Sequence, residues 1–343
     1  MNDNTTIWVL TETGDMSGRR NALDGVARHL SEDIHHLSIY DLEVPAIPPE
    51  NIDAPTMQTD FNDTQHDIGR HEMPDIILTD LNNFNNGNGQ SIESYDNDIE
   101  VSFPDTVFVS ADMQFLNWEN FAQGSDRNLS PHNLTHEQIK NEAHQLQSRL
   151  GESSPIIAIM VSEISPRENL EDLQEKLTQI TQSHPESDIY LCSAPRTDPD
   201  IFNALYQTVQ NTDNTVHVYD WKNEQGENNP YIGLLQLAEH MVIVGESHST
   251  LSERLFTGQS AYTYYEHPKE VEDYIRANSN QTNQGQIKDL KTEDISNGLT
   301  TDKFPPIDIT PAVAQGIQNQ YEQHLQKQRS LGNDLLEDTE PPI

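Results

Sequence analysis

Apolar runs alternate with segments of helical period along this chain, and the same rhythm appears in both halves. Thr6–Thr11 (TIWVLT) is largely apolar and predicts a strand buried on both faces. Ala22, Leu23, Val26, Ala27 and Leu30 fall at helical spacing, so Arg19 to Leu30 predicts a helix, with a strand over Ile34–Leu42 after it. Asp75–Thr79 and Thr106–Ser110 are further apolar runs of strand length. Between them, Pro45–Pro74 and Asn82–Glu100 lose all apolar periodicity and predict long surface loops. Thr135-His-Glu-Gln138 is a capping box opening a helix to about Leu150.

The second half restarts the pattern. Strands are predicted at Pro155–Val161, Asp188–Cys192 and Thr215–Tyr219. Helices are predicted from Ser165-Pro166 to about Thr181, from Asp198-Pro199 through Val209, and around Leu234–Ala238. His240–Tyr265 then reads as strand, turn, helix and strand: Met241–Val244 ends at Gly245, a polar turn follows, and Gly258 closes a helix carrying Leu251, Leu255 and Phe256. A helix over Pro268–Ala277 and a last helix from Thr310-Pro311 to about Leu331 complete the list, with a frayed acidic tail. The expected fold is α/β and GT-B-like, two doubly wound Rossmann-like domains facing a cleft. The expected division is 1–150, 151–305, and a C-terminal helix with acidic tail over 306–343, with the boundary in Gly151–Ser154.

Composition narrows the partners. The 343 residues hold 57 acidic against 19 basic side chains, a formal charge of −38. A surface that tracks phosphates needs clustered Lys and Arg, so nucleic acid is not an expected partner. An anionic membrane surface is no better as an electrostatic target. Host adaptation, solubility in a salty interior, accounts for most of the carboxylates. The single Cys192 rules out an intrachain disulfide and a cysteine-based zinc site. No run approaches a transmembrane length, and no leader-like segment opens the chain, so a cytoplasmic location is expected. No metal site is expected: the 14 histidines are scattered, and the acidic alternation at Asp96, Asp98 and Glu100 lacks a full calcium-loop pattern.

The chemistry that the residues allow lies in three places. The turn Glu246-Ser247-His248-Ser249-Thr250 offers backbone N–H groups and hydroxyls between a strand's carboxyl end and a helix's amino end, where α/β folds hold phosphates. Thr250-x-x-Glu253 is also a capping box, which needs no ligand. Arg196, just past a strand in Ser193-Ala-Pro-Arg-Thr197, is placed to offset diphosphate charge, or to pair with a surface carboxylate. Tyr231, after Asn229-Pro230, packs either on a base or into the core. In the first half, Gly14, Ser17 and Gly18 form a glycine-punctuated turn, and Asp15 within it serves as general base or as a helix cap. His248 contacts a leaving diphosphate or has no role.

Gly245 to Glu253 resembles the donor-binding segment of GT-B glycosyltransferases, including the enzyme that adds N-acetylglucosamine to a lipid-linked muramyl precursor. More broadly, the chain resembles the mitochondrial-fission "elongated mitochondria" family and its bacterial relatives. The matching pieces are Ile7-Trp8 with Gly14–Ala27, Asn128–Thr135, Cys192–Thr197, Asn229–Tyr231 and Glu246–Gly258. Three departures concern catalysis more than fold. Ser249-Thr250 replaces part of the expected turn, Ser162-Glu163 replaces a glycine pair, and a Gly-Arg expected near Thr79-Asp80 is absent. The resemblance implies a nucleotide-sugar donor, with Glu253 reading the ribose and Ser249 and Thr250 holding the diphosphate. It implies a glycan or lipid-linked acceptor, leaves peripheral membrane association open, and requires no cofactor and no metal. A GT-B-shaped interaction protein without catalysis, as the fission role suggests, and a nucleotide-sugar epimerase are the competing expectations.

Overall fold

The computed structural model describes residues 5–11, 17–38, 76–79, 84–85, 91–93, 100–102, 107–110, 129–151, 154–164, 169–224, 228–245, 247–264, 286–291 and 294–337. The chain divides into two compact units. One comprises residues 1–127, 131–133 and 309–343, the other 128–130 and 134–308.

The first unit is built on a parallel sheet of order β2-β1-β3-β7. Its strands are β1 (Thr6–Thr11), β2 (Asp33–Ser38), β3 (Ile76–Thr79) and β7 (Val107–Ser110). Helix α1 (Ser17–Leu30) crosses over between β1 and β2, and its Ala22, Leu23, Val26 and Ala27 are buried at helical spacing. The last helix of the chain, α8 (Thr310–Glu337), packs on α1. Strands β4 (Phe84–Asn85), β5 (Ser91–Glu93) and β6 (Glu100–Ser102) form a small antiparallel sheet inside the stretch expected to be loop. Strands of two or three residues carry no period that sequence inspection can see.

The second unit holds six parallel strands in the order β10-β9-β8-β11-β12-β13. They are β8 (Ile156–Val161), β9 (Asp188–Ser193), β10 (Val216–Tyr219), β11 (Ala238–Val244), β12 (Ala261–Tyr264) and β13 (Ile287–Asp289). Helices α2 (His136–Leu150), α3 (Leu170–Ser183), α4 (Pro199–Gln210), α5 (Trp221–Glu224), α6 (Tyr231–Leu237) and α7 (His248–Phe256) surround the sheet. Alternate strand residues Ile157, Ile159, Val161, Ile189, Leu191, Val242 and Val244 form one core with Leu173, Leu177 and Ile180 of α3 and Phe202, Leu205 and Val209 of α4. Burial of each such side chain contributes about 1.5–3 kcal/mol. Helices α6 and α7 pack on β11 and β12. The opposite parity of strand residues is equally buried, as the unbroken burial of β8 shows. These are the two Rossmann-like α/β units that the strand–helix rhythm predicts.

The helix starts follow their caps. Thr135 Oγ1 accepts from Gln138 N at 3.1 Å, as the capping box requires. Asp198 caps α4 with Pro199 in its first turn. Helix α3 departs from the expectation: Asn169, not Ser165, caps it, accepting from Asp172 N at 3.1 Å. Helix α2 lies in the second unit, not ahead of a boundary at Gly151–Ser154. Gly233 of α6 seats against it, where an added Cβ would stand 2.9 Å from Glu142 O and 3.0 Å from Leu146 Cβ. The terminal helix, expected as a separate appendage, belongs to the first unit. The helix expected at Pro268–Ala277 and the acidic alternation at Asp96 and Asp98 fall outside the described residues. No described helix is long and apolar enough to cross a membrane.

Candidate functional site

Strands β8, β9 and β10 follow one another toward one edge of the sheet, while β11, β12 and β13 run from β8 toward the other. The order therefore reverses between β8 and β11. In doubly wound sheets the crevice outside the carboxyl ends of the strands at such a reversal is where ligands bind.

The backbone there is tightly set. Ser162 N donates to Val244 O at 2.8 Å, and Gly245 N donates to Tyr264 O at 3.0 Å. Gly245 has φ +79°, and a Cβ on it would stand 2.3 Å from Glu163 O. Only glycine allows the chain to leave β11 this close to the end of β8. The neighbouring β9 ends in a turn fixed by Thr197, whose Oγ1 donates to Val161 O at 2.6 Å and accepts from Ala194 N at 2.7 Å. That turn leaves Arg196 outside, its Nη1 3.4 Å from Glu163 Oε2, with 52% and 62% of the two side chains exposed. A pair so exposed adds little stability, so the guanidinium is able to exchange this carboxylate for another anion. Lys222 Nζ donates to Thr197 O at 3.1 Å, which brings a second cation to the same turn.

After Gly245 the chain enters α7 through Ser247. Ser247 is the N-cap residue but makes no side-chain cap; its hydroxyl donates instead to Thr250 Oγ1 at 2.8 Å. Tyr231, at the start of α6, lies with its hydroxyl 3.3 Å from Thr250 Oγ1 and donates to Glu253 Oε2. Ser247, Thr250, Tyr231 and Glu253 thus form one hydrogen-bonded run. It leads from a half-buried helix start to a carboxyl with 3% exposure. Burial raises the Glu253 pKa to about 7, against the lowering effect of the Tyr231 hydrogen bond. The Tyr231 hydroxyl is raised well above its ordinary value, by burial first and then by the Glu253 charge.

The structure so brings together Tyr231, Ser247, Thr250 and Glu253, with His248 and Ser249 half-buried in the first turn of α7. Arg196 sits at the same carboxyl edge but is engaged with Glu163. The capping box read at Thr250-x-x-Glu253 does not form, because Ser247 is the N-cap and Thr250 lies one turn inside. Tyr231 neither fills the core nor presents a free hydroxyl; it is committed to Glu253. Ser17 and Gly18 stand in the first turn of α1. Gly14, Asp15 and Glu246 fall outside the described residues.

Sequence reading gave no role to Glu163, Lys222 or Arg254, which no local pattern marks. Arg254 is fully buried. Its Nε donates to Ser260 O at 3.1 Å, Nη1 to Leu235 O at 2.6 Å, and Nη2 to Ala238 O at 3.0 Å. Among the described residues no group of three or more His, Cys, Asp or Glu is placed to hold a metal ion.

The Glu253 shift has a consequence for stability. An acid whose folded pKa lies above its unfolded value binds its proton more tightly when folded. Its contribution is complete below about pH 4.5 and is lost as pH rises through about 7. The span corresponds to roughly 3 kcal/mol. Glu253→Gln removes this dependence, so the variant should exceed the parent by roughly 1–3 kcal/mol near pH 8 and match it near pH 5. Urea unfolding at the two pH values checks this; an equal difference at both would overturn it.

Comparison with solved structures gives likenesses over almost the whole chain at low identity. A glycosyl transferase family 9 protein from Veillonella parvula is 11% identical, with 95% of this chain and 99% of that one covered and a TM-score of 0.42. A UDP-GlcNAc 2-epimerase from Neisseria meningitidis, bound to UDP-GlcNAc, is 10% identical, with 93% of each chain covered and a TM-score of 0.41. A glycosyltransferase from Rickettsia africae is 12% identical, with 98% and 100% covered and a TM-score of 0.36. Likenesses this distant say nothing about chemistry, for which only the chain's own residues speak. No curated protein matches the sequence. The family model described as mitochondrial fission ELM1 does match, over residues 127–321, more than half of the 343 residues, and the chain belongs to that family.

Proposed function

We propose that the chain is a GT-B-type glycosyltransferase that binds a nucleotide-diphosphate sugar at the carboxyl edge of the second sheet and transfers the sugar to an acceptor. The observation that carries this reading is the reversal of strand order at β8 and β11. There Gly245, held at φ +79° against Glu163 O, leads into a helix start rich in hydroxyls. The first N–H groups of α7, with Ser247 and Ser249, take the diphosphate, and Arg196 turns from Glu163 to offset its charge. Transfer proceeds by stabilising the departing diphosphate in place. Glu253 meets a ribose hydroxyl through Oε1 while Oε2 keeps its hydrogen bond with Tyr231. The base that takes the acceptor proton is assigned to Asp15 on the sequence alone. The acceptor is a glycan or lipid-linked precursor.

A thermal-shift panel of uridine, guanosine, thymidine and adenosine diphosphates tests this. Saturation at about a hundred times Kd adds about 2.7 kcal/mol, or roughly 5–10 °C for a unit of this size. Arg196→Ala should reduce the shift and Glu253→Ala abolish it. Absence of a shift with every diphosphate overturns the reading.

One observation favours a second reading, an interaction protein of GT-B shape without catalysis. Two of the groups expected to meet the donor are already engaged, Glu253 by Tyr231 and Arg196 by Glu163. Recovery of a stoichiometric protein partner by a chain that binds no nucleotide would support it.

A further inference from the structure

We propose that Glu253 takes up a proton when a diphosphate binds at the amino end of α7, and that the hydroxyls of Tyr231, Thr250 and Ser247 couple the two events. This rests on the nucleotide-binding reading above and adds regulation by proton concentration to that same site.

The geometry supplies an unbroken path. Ser247 Oγ lies 2.8 Å from Thr250 Oγ1, Thr250 Oγ1 lies 3.3 Å from the Tyr231 hydroxyl, and that hydroxyl meets Glu253 Oε2. Each hydroxyl both donates and accepts, so the run has two polarities. With Glu253 ionised, every hydrogen points inward: Tyr231 donates to the carboxylate, Thr250 to Tyr231, and Ser247 to Thr250. Ser247 then presents lone pairs to the helix entrance, which repel an anion. With Glu253 protonated, the carboxyl donates to Tyr231 and the run reverses. The Ser247 hydrogen turns outward, as an anion requires. Neighbouring bonds in such a run reinforce one another's direction. No covalent bond changes; the proton comes from solvent and stays on Glu253.

Charge acts with the same sign. Glu253 lies six positions after Ser247, about 9 Å along the helix axis. A diphosphate at the entrance therefore penalises an ionised Glu253 with 3% exposure and favours the neutral form. The other ionisable groups nearby are otherwise directed. Arg254 on α7 donates to carbonyls of Leu235, Ala238 and Ser260. On β12, the Tyr262 hydroxyl meets Thr300 and the Tyr264 hydroxyl donates to Asp172. His136 stacks on Phe256. His248 stands half-buried in the first turn of α7, at the entrance itself. Burial and the Tyr231 hydrogen bond alone set the Glu253 pKa at about 7, inside the range where uptake is measurable.

The test is calorimetric titration of the full chain with the diphosphate giving the largest thermal shift, in buffers of different ionisation enthalpy. The parent should take up about half a proton near pH 7, and its affinity should fall about tenfold between about pH 6.5 and 8.5. Glu253→Gln should bind with neither uptake nor pH dependence beyond the nucleotide's own. Tyr231→Phe keeps the carboxyl but breaks the run, so its affinities at the two pH values should converge to within about threefold. His248→Gln should behave as the parent. Binding without proton uptake, uptake that survives Glu253→Gln, a Tyr231→Phe variant with the parent's pH dependence, or loss of uptake in His248→Gln overturns this inference and leaves the nucleotide reading standing. No binding by the parent at any pH overturns both.

Discussion

Arg254→Met should cost about 4 kcal/mol of stability and abolish any nucleotide-induced stabilisation. The guanidinium is fully buried and directs its donors at four carbonyls, those of Leu235, Ala238, Glu239 and Ser260. Leu235 lies in the last turn of α6, whose carbonyls have no partner within the helix. Ala238 and Glu239 begin β11, and Ser260 precedes β12. Arg254 thus ties α7 to the end of α6 and to the entries of both strands it packs beside. Burial lowers its pKa to about 9, so it remains a cation at neutral pH. Met fills a similar volume and removes the cost of burying a charge, but it takes the guanidinium donors from Leu235 O, Ala238 O and Ser260 O; Glu239 O keeps its bond from Thr301 Oγ1. Each such group costs about 1–3 kcal/mol, and the carbonyls outnumber the single charge relieved. Arg254→Lys should be nearly as harmful, since one ammonium cannot reach oxygens spread around a planar fork. Two-unit chains need not unfold in one step. The measurement is therefore hydrogen exchange of α6, α7 and β12 amides alongside a urea midpoint. A methionine variant within about 1 kcal/mol of the parent would falsify this account.

Arg254 also shows where sequence reading stops. The pattern revealed the strand at Ile156–Val161, the caps at Thr135 and Asp198, and the strand–turn–helix around Gly245, because each is set by neighbours in sequence. A lone Arg beside a Glu on a short helix looks like a surface pair. Its carbonyl partners lie 6 to 19 positions away, and only the finished fold assembles them. The same holds for Tyr231 and Glu253. Each was legible as a candidate, yet their mutual hydrogen bond spans 22 positions, and it makes the expected ribose reader a buried acid as well. Strand β13 was missed for a different reason. Ile287-Lys288-Asp289 has one apolar residue, and its strand character comes from pairing with β12. Lys288 is nevertheless buried, because Asp302 Oδ2 stands 2.8 Å from its ammonium.

Gly245→Ala should lower stability by about 3–5 kcal/mol and remove nucleotide binding with it. Two costs add. An L-residue at φ +79° loses about 1–2 kcal/mol to contact between its Cβ and its own backbone. The new methyl then lies 2.3 Å from Glu163 O and 2.8 Å from Glu163 C, distances at which atoms must move. Neither side yields easily, since Ser162 N is bonded to Val244 O and Gly245 N to Tyr264 O. The carboxyl ends of β8 and β11 must part, and the entrance to α7 moves with them. Gly151→Ala separates the two costs. Gly151 also has a positive φ, +76°, but a Cβ there meets nothing within 4 Å, so it bears the backbone cost alone, about 1–3 kcal/mol. Thermal and urea unfolding of both variants, with the diphosphate panel repeated on each, reads the difference. Gly151→Ala should keep the parent's nucleotide response while Gly245→Ala loses it. Equal destabilisation would mean that the close approach at the strand reversal costs nothing. The site could not then owe its shape to that glycine, because the contact separating the two positions is the one that sets where α7 begins.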